Sequence, residues 1–195
     1  MDNWTTAVYV RELVHQAEAA QLAAQEFNAS LKSPGANGTA RAFAAVQSLL
    51  AAAAMVSKML WPKPSKFRFD GSPLKEAEEA QRKTTLDRGR TLRTALGIKG
   101  SPLVESRKVR NALEHFDDRL DRYFEAGHRM VVDRNIGPKN RLAVIGDKPA
   151  LHLRLIDTEA GTVSVLEDDV PIQGLFDAID DVSNRAQGWL TEHGQ

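Results

Sequence analysis

The sequence predicts a mainly α-helical bundle of about five helices, with a small antiparallel β-hairpin or sheet inserted before the last helix. Apolar residues recur at every third or fourth position over long stretches near both ends of the chain. Segments rich in proline, glycine and asparagine separate these stretches. Between about residues 141 and 168, apolar residues instead alternate with polar ones, as in half-buried strands. We therefore expect a single domain over residues 1–195, with the β insertion at about 141–168.

The composition restricts the classes of protein to consider. The 195 residues include 26 Lys and Arg, 26 Asp and Glu, and no Cys. Balanced charge argues against a protein that coats nucleic acid through bulk positive charge. The absence of cysteine excludes disulfides, thiolate metal sites and cysteine nucleophiles. The segment from Met1 to Thr6 lacks the basic start and apolar run of a signal peptide, so we expect a soluble, cytoplasmic protein.

Two long helices are predicted in the first third of the chain. The first begins with Asp2 or Asn3 as its N-cap and continues to about Leu31. The second runs from about Thr39 to Leu60. Residues 42–60 are long enough to span a membrane, but most of their apolar residues are alanines, which anchor poorly in lipid and favour helix. We interpret this helix as a buried central element and expect no membrane partner.

The connection at residues 61–72 contains an alternation of basic and aromatic residues, Lys66-Phe67-Arg68-Phe69. Such a segment suits a loop that stacks on single-stranded nucleic acid. The alternative is a connection that places both phenylalanine rings in the core, and we favour this second interpretation.

Further helices follow the same signals. Ser72-Pro73 predicts the start of a third helix that continues, weakened at Gly89, to about Leu96, and Ser101-Pro102 predicts the start of a fourth that ends near Ala126. A hairpin is predicted from residues 151–156 and 162–166, with a possible third strand at 142–145, and the last helix starts near Pro171.

The fourth predicted helix carries the residues with the clearest chemical potential. Its apolar residues form one stripe: Val109, Ala112, Leu113, Phe116, Leu120, Tyr123 and Phe124. On the opposite face, steps of four, three and four residues align Asn111, His115, Asp118 and Arg122. The long side chain of Arg110 can reach this polar row. A polar row of this kind faces either solvent or a partner.

The segment Arg110-Asn111-Ala112-Leu113-Glu114-His115 resembles the signature of the HEPN superfamily, in which an arginine is followed by a polar residue and, after a gap of four to six residues, by a histidine. The continuation Phe116-Asp117-Asp118 is most similar to HEPN proteins of phage-defence and toxin systems. The resemblance is confined to this helix and the general helical layout.

The resemblance implies a homodimeric, metal-independent endoribonuclease without a cofactor, acting as a toxin or defence effector on RNA and open to an antitoxin or other protein partner. His115 would be the general acid and base, Arg110 would hold the phosphate, and Asn111 would orient either group. Asp118, Arg122 and Arg129 are weaker candidates for substrate binding.

Other interpretations of these residues remain open. Arg110 could form a surface ion pair with Glu114, and His115 could be a solvated or interface histidine. The protein would then be a non-catalytic HEPN-like dimerisation or binding module, or an unrelated helical adaptor. Arg122 and His128 also match the signature, but Tyr123 follows the arginine and Gly127 ends the predicted helix between them.

Charged clusters elsewhere in the chain give weaker signals. The acidic groups at 117–118, 167–169 and 180–181 lack histidines at metal-ligand spacing, so we expect surface charges and no metal site. Four basic residues after the motif helix could form a basic patch beside it or a solvated loop: Arg129, Arg134, Lys139 and Arg141.

Overall fold

A computed structural model describes residues 1–33, 35–100, 111, 114–127, 131–139, 144–145, 148–149, 151–166 and 168–193. The helices described are α1 (Asn3–Leu31), α2 (Ala36–Leu60), α3 (Glu76–Ala95), α4 (Phe116–Glu125) and α5 (Ile172–His193). Short strands lie between α4 and α5. The predicted mainly α-helical class, with a small sheet before the last helix, is confirmed.

Helix α1 lies between α2 and α5 and packs along both. It begins where predicted, because the Asp2 side chain accepts a hydrogen bond from the backbone N–H of Thr5 at 2.6 Å. Its Val10, Leu13 and Ala17 are buried. The predicted apolar face of the first helix therefore forms the middle of the bundle.

Helix α2 is the most apolar helix in the described part of the chain, and it starts three residues before the predicted position. It is long and apolar enough to cross a membrane, yet two thirds of its most apolar 18-residue segment is buried inside the protein. Alanines such as Ala42, Ala52 and Ala53 are almost inaccessible to solvent. Their small side chains let α2 pack closely against α1, as in the core helix of a bundle.

Helix α3 starts later than Ser72-Pro73 predicted, and the predicted cap is wrong. Pro73 forms an isolated β-bridge with Phe67, and the Ser72 hydroxyl donates to Asp70 at 2.6 Å instead of capping a helix. The helix begins after Lys75, whose backbone N–H donates to Glu78 at 2.8 Å.

The other end of α3 packs against the end of α2. Backbone carbonyls in the last turn of α2 accept hydrogen bonds from two arginines, at Lys58 from Arg88 and at Leu60 from Arg93. Gly89 lies so close to Pro62 that a Cβ there would be 2.4 Å from the proline Cδ. The predicted weakening at Gly89 is therefore a close contact between the two segments.

The sheet differs from the predicted hairpin by being mixed. Its central strands β6 (Arg154–Asp157) and β7 (Thr162–Val165) are antiparallel, as predicted. Strand β8 (Asp168–Pro171) extends the sheet beyond β7, and β2 (Asn135–Ile136) pairs with β6 in parallel. Two-residue strands complete the region as the pairs β1 (Val131–Val132) with β5 (Leu151–His152) and β3 (Val144–Ile145) with β4 (Lys148–Pro149).

Two clusters of buried apolar residues hold these layers together. At one end of the bundle, Ile156, Val163 and Val170 of the sheet pack with α1, α2 and the start of α5. At the other end, Leu92 and Leu96 pack with the start of α1 and the end of α5. The sheet and α3 thus close opposite ends of the same three-helix core.

Candidate functional site

The predicted continuous helix over residues 102–126 is distorted at His115. Residues 101–110, 112 and 113 lie outside the described part of the chain, whereas Asn111 and Glu114 are helical and α4 starts at Phe116. His115 has φ −126° and ψ 28°, values outside the α-helical region. Hydrogen bonds of the helical type still flank it, from His115 N–H to Asn111 O and from Arg119 N–H to His115 O, each 3.1 Å.

His115 and Asp118 form the central pair of the site. Nδ1 of His115 lies 3.2 Å from Oδ2 of Asp118. The two side chains are 52% and 67% exposed, so the pair lies on the open surface of the chain. An imidazole held by a carboxylate on one nitrogen keeps its other nitrogen free for a proton transfer.

Asn111 lies one helical turn before His115 and is partly buried. The hydrogen bond from His115 N–H to Asn111 O joins the two residues across one turn, although the backbone of His115 departs from helical dihedral angles. Arg110, the candidate phosphate-binding residue, and Arg129 lie outside the described residues. Arg122 is exposed, and its Nε donates to the backbone carbonyl of Asp118 at 3.2 Å.

Glu114 contacts α2. Its Oε1 lies 2.5 Å from Nζ of Lys58, and both side chains are partly exposed. This ion pair connects the turn before His115 to the central helix. The sequence offered only Arg110 as a partner for Glu114, because Lys58 is distant along the chain.

The residues that fix α4 to the sheet were not among the candidates from the sequence. Arg119 donates from Nη1 to Oδ2 of Asp168 on β8, and both side chains are mostly buried. The guanidinium of Arg154 on β6 lies over the Phe116 ring, 5.5 Å from its centre. Asp168 was expected in a surface turn, and no local pattern indicated its long-range partner.

The apolar stripe predicted for this helix is buried less than expected. Phe116 and Leu120 are only partly buried, Phe124 is exposed, and α4 has no fully buried residue. The helix is thus held at the surface by a few specific contacts, and His115, Asp118 and Arg122 of the polar row are exposed.

Acidic side chains lie beside three basic residues that follow α4 in the chain, Arg134, Lys139 and Arg154. Asp133 accepts from Nε of Arg154 at 2.8 Å, which lowers the pKa of the Asp133 carboxyl and raises the pKa of Arg154. Asp169 lies 3.1 Å from Nζ of Lys139, and Asp133 lies 3.9 Å from Nε of Arg134. Of the predicted basic patch, Arg134 and Lys139 are therefore paired, and Arg129 and Arg141 are outside the described residues.

The aromatic residues of the connection before α3 are not in the core, so the favoured interpretation of this segment is wrong. Phe67 is exposed and Phe69 is fully exposed. A tight turn explains this position, since Gly71 N–H donates to Arg68 O and Arg68 N–H donates to Ser72 O, each at 2.9 Å. Phe69 lies within this turn, where its side chain is open to solvent.

A cavity lies between the helices and the sheet. It has a volume of about 580 Å³ and is lined by α1, α2, the β6–β7 turn and the start of α5, including Phe27, Leu49 and Phe176. His115 does not line it. Across the described residues, no group of three His, Asp or Glu side chains is arranged to hold a metal ion.

Comparisons of the chain with known protein families, curated proteins and solved structures identify no relative. The chain matches no family model, and no curated protein and no solved structure matches it. Among the described residues, His115 has an imidazole suited to acid–base transfer, and Asp118 lies close enough to orient it.

Proposed function

We propose that this chain is a HEPN-like, metal-independent endoribonuclease in which His115 transfers the proton. The observation that carries the proposal is the His115–Asp118 pair, 3.2 Å apart on the exposed start of α4. A histidine titrates near neutral pH, which suits it to both removing and donating a proton.

The contact with Asp118 gives the imidazole a defined orientation. The carboxylate accepts the Nδ1–H and leaves the Nε2 lone pair directed away from Asp118. Nε2 is then the basic atom that removes the proton from a ribose 2′-hydroxyl. The same pair stabilises the imidazolium after the proton arrives.

The reaction follows from these groups. The ribose 2′-oxygen loses its proton and attacks the adjacent phosphorus, and the bond from phosphorus to the 5′-oxygen breaks. The 5′-oxygen receives a proton, so the products are a 2′,3′-cyclic phosphate and a 5′-hydroxyl. Arg110 offsets the charge on the phosphate oxygens, and Asn111 orients the phosphate or the imidazole.

The open position of the pair suits a polymer substrate. Side chains more than half exposed can reach a long RNA without a lid or an enclosed cleft. A second copy placed against the polar row would supply a second His115 and Arg110 and would close a cleft between the two. We propose this homodimer as the active form, in a toxin or defence setting where an antitoxin would cover the same face.

Cleavage of RNA in EDTA tests the proposal. The purified protein is incubated with mixed RNA that includes tRNA, beside His115→Ala and Arg110→Ala. We expect wild-type protein to cut and both variants to lose about 100-fold or more in rate. Fragments should end in a 2′,3′-cyclic phosphate, and DNA of the same sequence should stay intact, because it lacks the attacking hydroxyl.

Matched controls come from the same chain. His193→Gln changes a histidine at the end of α5, and Arg90→Ala changes an exposed arginine paired with Asp87 on α3. Both should cut like wild type, with circular dichroism confirming that all variants fold. Absence of cutting, or cutting that His115→Ala and Arg110→Ala do not reduce, would refute the ribonuclease proposal.

The second candidate is a non-catalytic binding module of the same type. The observation that favours it is the same exposure of His115 and Asp118, because a polar row on an open helix also serves as a contact surface for a partner. This candidate expects RNA or protein binding that depends on the polar row, without any cleavage product.

A further inference from the structure

A second surface of interest lies on the solvent-exposed side of helix α1, where the exposed side chains are regularly spaced. The side chains facing away from α2 and α5 follow alternating steps of four and three residues, which keep them on one side of a helix. All are exposed, and together they form what we call the α1 stripe: Trp4, Val8, Arg11, His15, Glu18, Leu22 and Gln25.

Exposed apolar side chains lie on both sides of the charged centre of the α1 stripe. Trp4 is 75% exposed and Leu22 is 66% exposed, and Val8 is also exposed. Exposed apolar side chains that lie together commonly mark an interface, and Trp4 and Val8 are neighbours one helical turn apart.

Opposite charges lie on either side of the centre of the α1 stripe. Arg11 comes four residues before His15, and Glu18 comes three residues after it. In the described part of the chain neither Arg11 nor Glu18 has an ion-pair partner, whereas His15 has Glu12 at 3.8 Å. Arg11 and Glu18 therefore carry charges that no described residue of the same chain offsets.

We propose that the α1 stripe binds the α1 stripe of a second copy of this chain, antiparallel, about a two-fold axis next to His15. This orientation sets Arg11 opposite Glu18 of the second copy, and symmetry repeats the pair. Val8 then faces Leu22 of the second copy, and Trp4 faces Gln25. In each pair the two residues are equally far from His15 to within one residue.

The order of side-chain types along the α1 stripe is self-complementary, and this property identifies a second copy of the chain as the binding partner. From Val8 to Leu22 the order is apolar, basic, histidine, acidic, apolar, so an antiparallel second copy sets apolar against apolar and basic against acidic, as a two-fold interface requires. A parallel arrangement would set Arg11 against Arg11 and Glu18 against Glu18, and like charges in contact oppose association. The charge pattern thus fixes the orientation as well as the partner.

This contact is independent of the proposed ribonuclease. The α1 stripe includes no residue of α4, so the dimer across the polar row and the dimer across α1 use separate surfaces. Both can exist in one assembly, and each can fail without the other.

Charge reversal and its rescue test the contact. Sedimentation velocity over protein concentrations up to about 1 mM measures the dimer dissociation constant. Arg11→Glu or Glu18→Arg should each weaken the dimer by about tenfold or more, because each sets like charges face to face twice. The double variant should return to within about threefold of wild type. A mixture of the two single variants should form a heterodimer, since both charge pairs are then restored.

Two charge reversals outside the α1 stripe serve as controls. Lys83→Glu and Glu192→Arg alter exposed side chains on α3 and α5 and should leave the dimer unchanged. A protein that stays monomeric throughout, or a dimer that neither single reversal weakens, would overturn the proposal.

Cysteine crosslinking locates the contact directly, because the chain contains no other cysteine. His15→Cys lies next to the proposed axis and should form a disulfide-linked dimer under mild oxidation, whereas Glu192→Cys should not. Asp118→Cys reports separately on the polar row. Crosslinking through residue 118 but not through residue 15 would support the proposed nuclease dimer and refute the α1 dimer.

Discussion

Arg119 of α4 and Asp168 of β8 form an ion pair that fastens the motif helix to the sheet, with both side chains mostly buried. Neither residue belongs to the polar row that carries His115. The pair therefore acts on the site only through the position of α4.

The first prediction concerns this pair. Arg119→Ala leaves the Asp168 carboxylate without its partner, so we expect the free energy of unfolding to fall by about 1–2 kcal/mol. Loosening α4 should also slow RNA cleavage. Urea denaturation of Arg119→Ala, Asp168→Ala and the double variant measures the coupling between them, and we expect about 1 kcal/mol. Strictly additive losses would show that the contact does not stabilise the fold.

A second prediction separates orientation from proton transfer. Asp118→Asn keeps the shape of the side chain but removes the charge that holds His115, so the single-turnover cleavage rate should fall by about tenfold, less than for His115→Ala. Asp117→Asn, one residue earlier and outside the polar row, is the matched control. Equal rates for Asp118→Asn and wild type would mean that Asp118 does not orient the imidazole.

The third prediction compares two glycines inside helices. At Gly89 an added Cβ would meet Pro62 Cδ at 2.4 Å and Leu60 O at 2.8 Å, so Gly89→Ala should destabilise the protein by about 1–3 kcal/mol. At Gly188 on α5 nothing lies within 4 Å of the same atom, and Gly188→Ala should stabilise by up to about 1 kcal/mol. Thermal denaturation measures both. Similar effects from the two substitutions would contradict the contact between α3 and Pro62.

A fourth prediction concerns acid. Asp157, buried at the end of β6, accepts backbone N–H groups of Ala160, Lys139 and Glu159, and these hydrogen bonds lower the pKa of its carboxyl below the usual 3.8. Because the folded-state pKa is depressed, the resulting stability is fully present above about pH 4 and is lost as pH falls through the folded value.

Asp157→Asn removes this acid-dependent contribution. The difference in unfolding free energy between wild type and variant should be large at pH 6 and should shrink steadily below pH 4. Denaturation curves across that range measure it, with Asp177→Asn on the surface of α5 as a control. A difference that does not change with pH would exclude Asp157 as a source of acid sensitivity.

Long regular helices were predictable from the sequence because their signals are local. The Asp2 cap and the spacing of Val10, Leu13 and Ala17 require only neighbouring residues to act. The start of α3 was missed because Pro73 pairs with Phe67 across a turn, a contact that competes with the helix-start signal of Ser72-Pro73. Local sequence signals fail to predict a helix start where a residue of another segment forms a competing contact.

The sheet and the site depend on such distant partners. The parallel pairing of Asn135 with Leu155 left no trace in the alternation of apolar residues, because a two-residue strand is too short for a pattern. The spacing of Asn111, His115, Asp118 and Arg122 predicted a polar row, and the last three of these residues are exposed whereas Asn111 is partly buried. The attachments of this helix through Lys58 and Asp168 were not predictable, since charged residues reveal a partner only once the chain is folded.

The packing of α1 against α5 has a consequence for how the protein is made. Gln21 and Asp180, which form a 3.5 Å hydrogen bond between these helices, are 159 residues apart in sequence. When a ribosome has produced α1 and α2, the side of α1 that α5 will cover still faces water. That apolar surface of α1 stays exposed to water while the residues of the sheet are synthesised. A chaperone that binds exposed helix hairpins would protect the surface until α5 has been synthesised and packs against it.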